Sequence, residues 1–502
     1  MQQHHVRVYA SKEKLPKEEQ LAWKMAELAA HNTSYESDTL EMVGNRIIDN
    51  AAVAIAAINR APIKAARAQA LAHPRKDGAT LFGMPHDQTF ECEWAAWANG
   101  VAVRELDMHD TFLAADYSHP GDTIPAIIAV AQQTNKSGKD ILPAILTAYE
   151  IQMNLVKNIC LHEFKKDHIA HLAPAIAAGL GTLLKLDTET IFHAIGQSVH
   201  LSFSTRQARK GEISSWKAFA PAFAAKLAIE ATDRAMRGEK SPTPIYEGED
   251  SVIAWMLGGK KTCYAVFLPE TGESCRTILE SYTKEHSAEY QSQALIDMAF
   301  RLHERKLNFS EINEVVIRTS HHTHYVIGTG SGDPQKFDPD ATRETLDHSA
   351  MYILAVAWED GTWHHIKSYT SERAHRQSTA QLWKKIRTEE SEEWTKAYHD
   401  ADPSKKKFGA EIIVTMNDGT KITERLENAN AHVNGARPFR RPEYIHKFTT
   451  ITEGLLEKKE TDRFLTLLNS LEKLSADDLK KLLPVLPHGK LETATRDQRG
   501  IF

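Results

Sequence analysis

Residues 51–72 read AAVAIAAINRAPIKAARAQALA, and this alanine-rich stretch decides the fold class of the 502-residue chain. Two more such stretches follow, AHLAPAIAAGLGTLL at 170–184 and KAFAPAFAAKLAIEA at 217–231. Small side chains let helix axes approach closely. The three stretches therefore predict the buried centre of a large all-helical domain, which we assign to residues 1–274.

Beyond residue 275 the sequence predicts a smaller α+β domain. The segments NEVVIRTS at 313–320 and AEIIVTM at 410–416 have the composition of strands. An Asp-Gly turn at 418–419 then leads into KITERLE, which predicts a hairpin. Between the strands, ETLDHSAMYILAVAW at 344–358 predicts one helix. We assign 275–449 to this α+β lid domain and expect a helical tail, 450–502, to pack back on the first domain, so that the fold is mainly α.

Composition excludes several classes of protein. The net charge is −6 and no long basic block occurs, which argues against nucleic acid as a partner. Apolar runs such as IPAIIAVA are far shorter than the roughly 20 residues that span a bilayer, so we expect no membrane association and a cytoplasmic location. The four cysteines are too widely spaced for a zinc knuckle, a Cys-ligated iron–sulfur cluster or a disulfide framework.

The stretch ELDMHDTFLAADYSHPGD at 105–122 is unusually rich in charged and polar groups for a helix end. If the helix continues through it, Asp107, Asp110 and Thr111 share one face at i, i+3 and i+4. Two carboxylates on one face repel each other unless cations or a ligand compensate. A capped helix end, with His119-Pro120 forming the turn, explains the same residues, and both interpretations stay open at this point.

Two further segments supply titratable and cationic groups. In FKKDHIAHLAPA, His168 stands at the mouth of a buried helix, a position suited to proton transfer. The segment STRQARKGEISSWKAF at 204–219 carries an excess of positive charge. Its positively charged residues are Arg206, Arg209, Lys210 and Lys217, and its acidic residue is Glu212. A lysine entering an apolar run is ordinarily paired or extends to solvent, but with the arginines it also describes a pocket for a polyanionic small molecule.

A cluster of histidines, His321, His322 and His324, follows the first predicted strand of the lid. Consecutive strand residues face opposite sides, and no acid or thiol lies at a useful spacing. The cluster therefore predicts surface or substrate contact and no metal site.

Taken together, six segments resemble the MmgE/PrpD family in the same order and spacing from about residue 20 to 450. They are LDMHDT…SHPGDT, KDH before an alanine-rich helix, TRQARKGEISSWKAF, YTKEHSAEYQSQA, ETLDHSAMY and AHVNGARPFRRPEYIHKF. The resemblance implies a large helical domain, a smaller α+β lid, an active site in the cleft between them and a homodimer. It also implies an enzyme activity, either dehydration of methylcitrate or citrate or decarboxylation of cis-aconitate. The reaction would need no iron–sulfur cluster and no other cofactor.

The resemblance also assigns roles to residues. The expected catalytic residues are Asp107, His119, His168 and Lys217. The expected substrate-binding residues are Thr111, Arg206, Lys284 and Tyr325. Because Glu289 stands where some members have a histidine, Lys284 or His286 is a candidate to supply the lid's contribution.

The chemistry of dehydration explains this set of residues. Elimination of water next to a carboxylate needs a base, an acid for the departing oxygen, and cations that bind the carboxylates. We expect His119 and His168 to share the base and acid roles, with Asp107 either orienting one imidazole or taking part in proton transfer itself, and no metal to take part. Two alternatives stay open, a related citrate dehydratase or cis-aconitate decarboxylase, and a helical protein that binds tricarboxylates without turnover.

Overall fold

The structure is a computed structural model that describes residues 1–31, 35–209, 213–270, 272–400, 402, 405–493 and 500–501. The fold is mainly helical with a smaller α+β portion, as the sequence predicts. The first ten helices are α1 Leu21–Ala30, α2 Ser37–Ala57, α3 Ala61–Leu71, α4 Cys92–Arg104, α5 Ile124–Gln133, α6 Gly138–Asn158, α7 Ile169–Leu184, α8 Thr188–Ser202, α9 Trp216–Met236 and α10 Val252–Met256.

The alanine-rich stretches form the buried centre of this helical part. They correspond to the end of α2 with α3, to α7 and to α9, and nearly all of α7 is buried. Small residues allow the close approach. A Cβ on Gly179 of α7 would lie 2.8 Å from the Ala144 carbonyl oxygen of α6, and one on Gly100 of α4 would lie 3.1 Å from Ala222 Cβ of α9.

Short strands border the helical part. They are β1 Gln2–Arg7, β2 Pro74–Ala79, β3 Phe112–Leu113, β4 Tyr117–Ser118 and β5 Cys263–Leu268. Strand β1 pairs antiparallel with β5, which ties the first described residues to the end of the helical region. The sequence patterns had not indicated this pair, because β1 is polar and mostly exposed.

The α+β part is built on a four-stranded sheet of β6 Ile312–Thr319, β7 Ile386–Glu390, β8 Ala410–Met416 and β9 Lys421–Leu426, in the order β7-β6-β8-β9. Both predicted strands and the Asp418-Gly419 hairpin are confirmed, and Gly419 has the positive φ of 87° that the turn requires. Strands β6 and β7 are parallel and the other pairs are antiparallel. The helices of this part are α11 Gln293–Glu304, α12 His321–Val326, α13 Arg343–Leu346, α14 Ala350–Asp360, α15 Ser371–Ala374, α16 Gln377–Trp383 and α17 Glu392–Tyr398.

The predicted single helix at 344–358 is wrong, because it is two helices with a break at Asp347–Ser349. The Ser349 side chain accepts a hydrogen bond from Tyr352 N and so begins the buried helix α14 afresh. The His321–His324 cluster likewise lies on α12 and not on a strand. Both corrections concern residues that border the cavity described below.

The chain ends in three helices, α18 Arg441–Ile451, α19 Lys458–Asn469 and α20 Ala476–Lys480. Phe464, Leu468 and Leu479 are buried in the same hydrophobic cluster as α2 and α5, and Ser475 caps α20. A second cluster fills the space between α11, α14 and the sheet. The boundaries near residues 275 and 449 stay predictions. Within the described ranges, no helix is both long enough and apolar enough to cross a bilayer.

Candidate active site

The stretch 105–122 does not continue helix α4, which ends at Arg104. Asp107 has a φ of +50°, in the left-handed region, and therefore stops the helix. The prediction that Asp107, Asp110 and Thr111 share one helix face is wrong. The chain instead turns through the short β3–β4 hairpin and enters the turn of Pro120–Thr123.

Asp107 is the centre of a buried network of cations. Its carboxylate accepts from Lys284 Nζ at 2.7 Å, lies 2.8 Å from Lys217 Nζ and also binds Arg104. Burial alone would raise the pKa of this carboxyl, but the three cations hold the pKa well below its usual range. Asp107 is therefore ionised.

Asp110 points away from these cations and serves the structure of the turn. Its carboxylate accepts from Gly121 N at 2.8 Å and from the Tyr149 hydroxyl at 2.9 Å, and lies 3.4 Å from Arg46 Nε. The capped-turn interpretation is therefore correct for Asp110, whereas Asp107 belongs to the cavity.

The imidazole of His119 is oriented by the backbone. Its Nδ1 lies 3.0 Å from the Asp110 carbonyl oxygen, which only accepts, so Nδ1 carries the proton. Nε2 then has a free lone pair and lies 3.9 Å from Asp107 Oδ1. Burial, with Arg104 and Lys284 nearby, holds the pKa of His119 well below its usual value. His119 is thus a neutral imidazole that faces the cavity with its basic nitrogen.

His168 is close to His119 but does not line the cavity. Its ring lies 5.6 Å from the His119 ring and 5.4 Å from the Tyr117 ring, measured between centroids. Its Nδ1 lies 3.0 Å from Asp167 Oδ1, and the side chain is buried. The structure therefore brings His168 next to the site and behind His119, and its predicted part in proton transfer stays a prediction.

Within the described ranges, four cationic side chains line the cavity, which are Arg104, Arg206, Lys217 and Lys284. Three of them are among the expected residues, and the fourth, Arg104, was not foreseen. Lys217 also lies 3.2 Å from both carboxylate oxygens of Asp347, in the break between α13 and α14. Of the basic segment around Arg206, Lys210 and Glu212 lie outside the described residues, as does the side chain of Arg209.

The two expected hydrogen-bond donors differ in position. Thr111 lines the cavity, but its hydroxyl donates to the Ser118 carbonyl oxygen at 3.1 Å. Tyr325 is 48% exposed and does not line the cavity. Because α12 is a helix, His322 and Val326 face the cavity instead, and burial lowers the pKa of His322 to about 3.

The lid contributes further groups that the sequence patterns had not singled out as ligands. Glu289, Gln291 and His348 line the cavity. Burial lowers the pKa of His348 to about 4, so this ring is neutral although it contacts Asp347. The sequence did contain a signal for these lid groups. The polar run Asp-His-Ser at 347–349 interrupts an otherwise apolar helical pattern, and buried polar residues require partners.

His286 is not the lid's contribution to the cavity. Its ring packs edge-on against Phe300, and its Nε2 lies 3.8 Å from Asp297 Oδ1, away from the cavity. Glu285, His286 and Asp297 come close enough together to bind a metal ion, but Arg437 donates to both oxygens of Glu285. The Glu285 carboxylate of this cluster is therefore already paired with a cation, the Arg437 guanidinium.

Family models match most of the chain. The MmgE/PrpD N-terminal domain matches residues 19–264, and the MmgE/PrpD C-terminal domain matches residues 286–473. The chain belongs to the MmgE/PrpD family. Both matched domains of this family contribute to the cavity, since Asp107, His119 and Lys217 come from the first and Glu289 and His348 from the second.

Curated relatives in the family share about a quarter of their residues with this chain. The chain is 25% identical to a protein of Saccharomyces cerevisiae named probable 2-methylcitrate dehydratase, over 66% of this chain and 65% of that protein. It is 25% identical to the mitochondrial 2-methylcitrate dehydratase of Yarrowia lipolytica, over 74% and 72%. It is 27% identical to the 2-methylcitrate dehydratase of Salmonella typhimurium, over 66% and 69%. The match thus spans slightly less than two thirds of the first relative's length.

Proposed function

We propose that the protein is a hydro-lyase that removes water from 2-methylcitrate to form 2-methyl-cis-aconitate, the dehydration step of the methylcitrate cycle in propionate catabolism. The observation that carries the proposal is a neutral imidazole, His119, in a cavity lined by four cations. The names of the MmgE/PrpD relatives support the same reaction.

The charge of the cavity favours a polyanionic substrate. Among the residues that the structure describes, four cations line the cavity, together with two carboxyl groups, those of Asp107 and Glu289. With both ionised, four positive charges against two negative charges leave an excess of two. Lys217 and Lys284 are nearly fully buried, so their charges are weakly screened. A substrate with three carboxylates would replace the lost hydration of these cations.

The proposed reaction uses His119 as the base. Its Nε2 would take the proton from the carbon next to a carboxylate, while Lys217 and Lys284 stabilise the charge that develops on that carboxylate. Asp107 holds both lysines in place and faces the imidazolium that forms. Arg206, whose Nε lies 3.4 Å from the Tyr117 hydroxyl, would bind a second carboxylate.

One assay tests this function directly. The purified protein is incubated separately with 2-methylcitrate, citrate and cis-aconitate, and unsaturated product and released carbon dioxide are measured, with and without a chelator. We expect unsaturated product from 2-methylcitrate, no carbon dioxide, and no effect of the chelator. Faster conversion of citrate, or decarboxylation of cis-aconitate, would replace the proposed activity by one of the two related ones.

The non-enzymatic alternative has a separate signature. A binding protein would be stabilised against thermal unfolding by tricarboxylates but would release no product. Stabilisation without turnover on all three compounds would therefore overturn the proposed enzyme activity. The homodimeric state and the cytoplasmic location stay predictions.

A further inference from the structure

Glu289 and Asp107 both line the cavity, but their carboxyl groups have different electrostatic surroundings. Asp107 contacts three cations, whereas no lysine or arginine nitrogen among the described residues lies within 4 Å of the Glu289 carboxyl oxygens. Glu289 Oε2 accepts a hydrogen bond from Gln291 N at 2.7 Å, and the Gln291 side-chain amide, which is uncharged, lies against both carboxyl oxygens. The carboxyl is thus held in position without being neutralised by a partner.

The backbone around Glu289 is anchored to the cavity wall. Glu289 N donates to the Asp347 carbonyl oxygen at 3.1 Å, and Asp347 itself binds Lys217. The side chain keeps a little solvent contact because it faces the cavity, and protein surrounds its other sides. This anchoring places the carboxyl in the same cavity as His119 Nε2, on the part of the wall that the lid supplies.

We propose that Glu289 is the general acid of the reaction and protonates the hydroxyl group that leaves. This inference rests on the proposed dehydration. His119 takes a proton from carbon, the C–H electron pair forms the double bond, and the C–O bond breaks with its electron pair going to oxygen. The Glu289 proton joins that oxygen to release water. Solvent then returns the proton from His119 to Glu289, which restores both groups.

The protonation state of Glu289 agrees with this role. Burial raises the pKa of Glu289 to about 7, and its neighbours act in opposite directions. Lys284 lowers the pKa and Asp107 raises it. Lys336 and the hydroxyls of Tyr290 and Tyr398 are the other titratable groups that face it. Two carboxyls in one cavity with pKa values pushed apart, low for Asp107 and near neutral for Glu289, divide into an ionised group and a proton donor.

The charge balance of the complex points the same way. With Glu289 protonated, the described residues of the lining carry four cations and one carboxylate, an excess of three that equals the charge of a tricarboxylate. Binding of the trianion would further favour the neutral form of Glu289, because a like charge nearby raises the pKa of a carboxyl group. Substrate binding would thereby favour the protonated form of Glu289 that the reaction requires.

The test compares Glu289→Gln with Glu247→Gln. Glu247 is a matched control, because burial also raises its pKa to about 7, but it accepts from Leu21 N at 2.7 Å in the helical part and does not line the cavity. We expect Glu289→Gln to lower kcat on 2-methylcitrate by about 10²- to 10⁴-fold with KM little changed, and to retain stabilisation by the substrate. Glu247→Gln should keep kcat.

The pH profile gives a second readout that a structural role would not move. In the wild type, kcat/KM should fall as pH rises through about 7, because Glu289 of the free protein then loses its proton. This basic limb should be absent from the residual activity of Glu289→Gln. In Glu289→Asp the basic limb should move to lower pH. This variant also tests the proposal if the glutamine variant does not fold.

The outcomes separate the two proposals. An active wild type together with a folded Glu289→Gln of normal kcat, or an unchanged basic limb in Glu289→Asp, overturns the role of Glu289 alone. A wild type that converts none of the three tricarboxylates overturns the proposed function and with it this inference.

Discussion

Lys217 Nζ lies 2.8 Å from Asp107 Oδ2, and both side chains are almost completely buried. Lys217 comes from the first turn of α9, and Asp107 from the turn that ends α4. Asp347 of the lid lies 3.2 Å from the same lysine nitrogen. One ammonium group thus joins three separate parts of the chain at the cavity.

Replacing Asp107 by asparagine should damage both activity and stability. The substitution leaves Arg104, Lys217 and Lys284 without the carboxylate that binds all three. We expect the free energy of unfolding to fall by about 3–5 kcal/mol, as for other broken buried ion pairs, and kcat to fall by at least about 10²-fold. Chemical denaturation and steady-state kinetics measure the two effects. Near-normal dehydration by a folded Asp107→Asn protein would contradict the assignment.

Replacing Lys217 by methionine should lower kcat/KM, because Lys217 is proposed to stabilise the charge that develops on a substrate carboxylate. A charged hydrogen bond to a carboxylate contributes about 1.5–3 kcal/mol, so we expect kcat/KM to fall by about 10- to 100-fold. Lys226→Met is the matched control, since Lys226 lies on the same helix with its Nζ 3.1 Å from the centre of the Trp94 ring, outside the cavity. An equal change of kcat/KM in both variants would argue against this role of Lys217.

The acidic limb of the pH profile should report His119. The base must be unprotonated, and the pKa of His119 lies well below its usual value of about 6.5. Activity should therefore persist below pH 6.5 and fall only as pH drops through the lowered pKa. Measuring kcat/KM between pH 4.5 and 8 tests this, with His119→Asn as the inactive control. A limb centred at or above about pH 6.5 would show that another group is the base.

We expect the loss of kcat in His168→Ala to be about tenfold smaller than the loss in His119→Asn. His168 packs against the rings of His119 and Tyr117 and does not line the cavity, so its loss would displace the base without removing it. Kinetics of the two variants at equal melting temperature make the comparison. If the two losses are equal, His168 takes part in the proton transfer itself, as the sequence pattern predicts.

The two aromatic positions on α12 should respond differently. Tyr325→Phe should change kcat/KM by less than about twofold, because Tyr325 is exposed and does not line the cavity. His322→Ala removes a ring that does line the cavity, and we expect about a tenfold loss, the size of one hydrogen bond to a charged group. The reverse order of effects would mean that α12 turns when substrate binds.

The sequence by itself predicted the elements whose patterns are local. Alanine-rich runs predicted the packed helices, and strand composition with the Asp418-Gly419 turn predicted the β8–β9 hairpin. These features depend on neighbouring residues, which the chain order alone brings together. The resemblance of six segments likewise predicted the family.

Most of the residues that the resemblance assigned to a site lie on the cavity wall. Asp107, Thr111, His119, Lys217 and Lys284 do line the cavity, as does Arg206, whereas Tyr325 and His168 do not. Tyr325, which the resemblance assigned, lies on the exposed side of helix α12, whereas His322 of the same helix faces the cavity. Arg104 and His348 were not singled out, since nothing in the order of the chain indicates that a helix end and a helix break meet at one cavity.

Tertiary structure alone decided the ionisation of these groups. Asp107 and Glu289 are both acidic residues, but three cations lower the pKa of Asp107 and burial without such partners raises that of Glu289 to about 7. Burial and distance to charge set a pKa, and both depend on contacts between residues far apart in the chain. The amino-acid sequence determined which acids and bases are available, and the folded cavity determined which of them holds a proton.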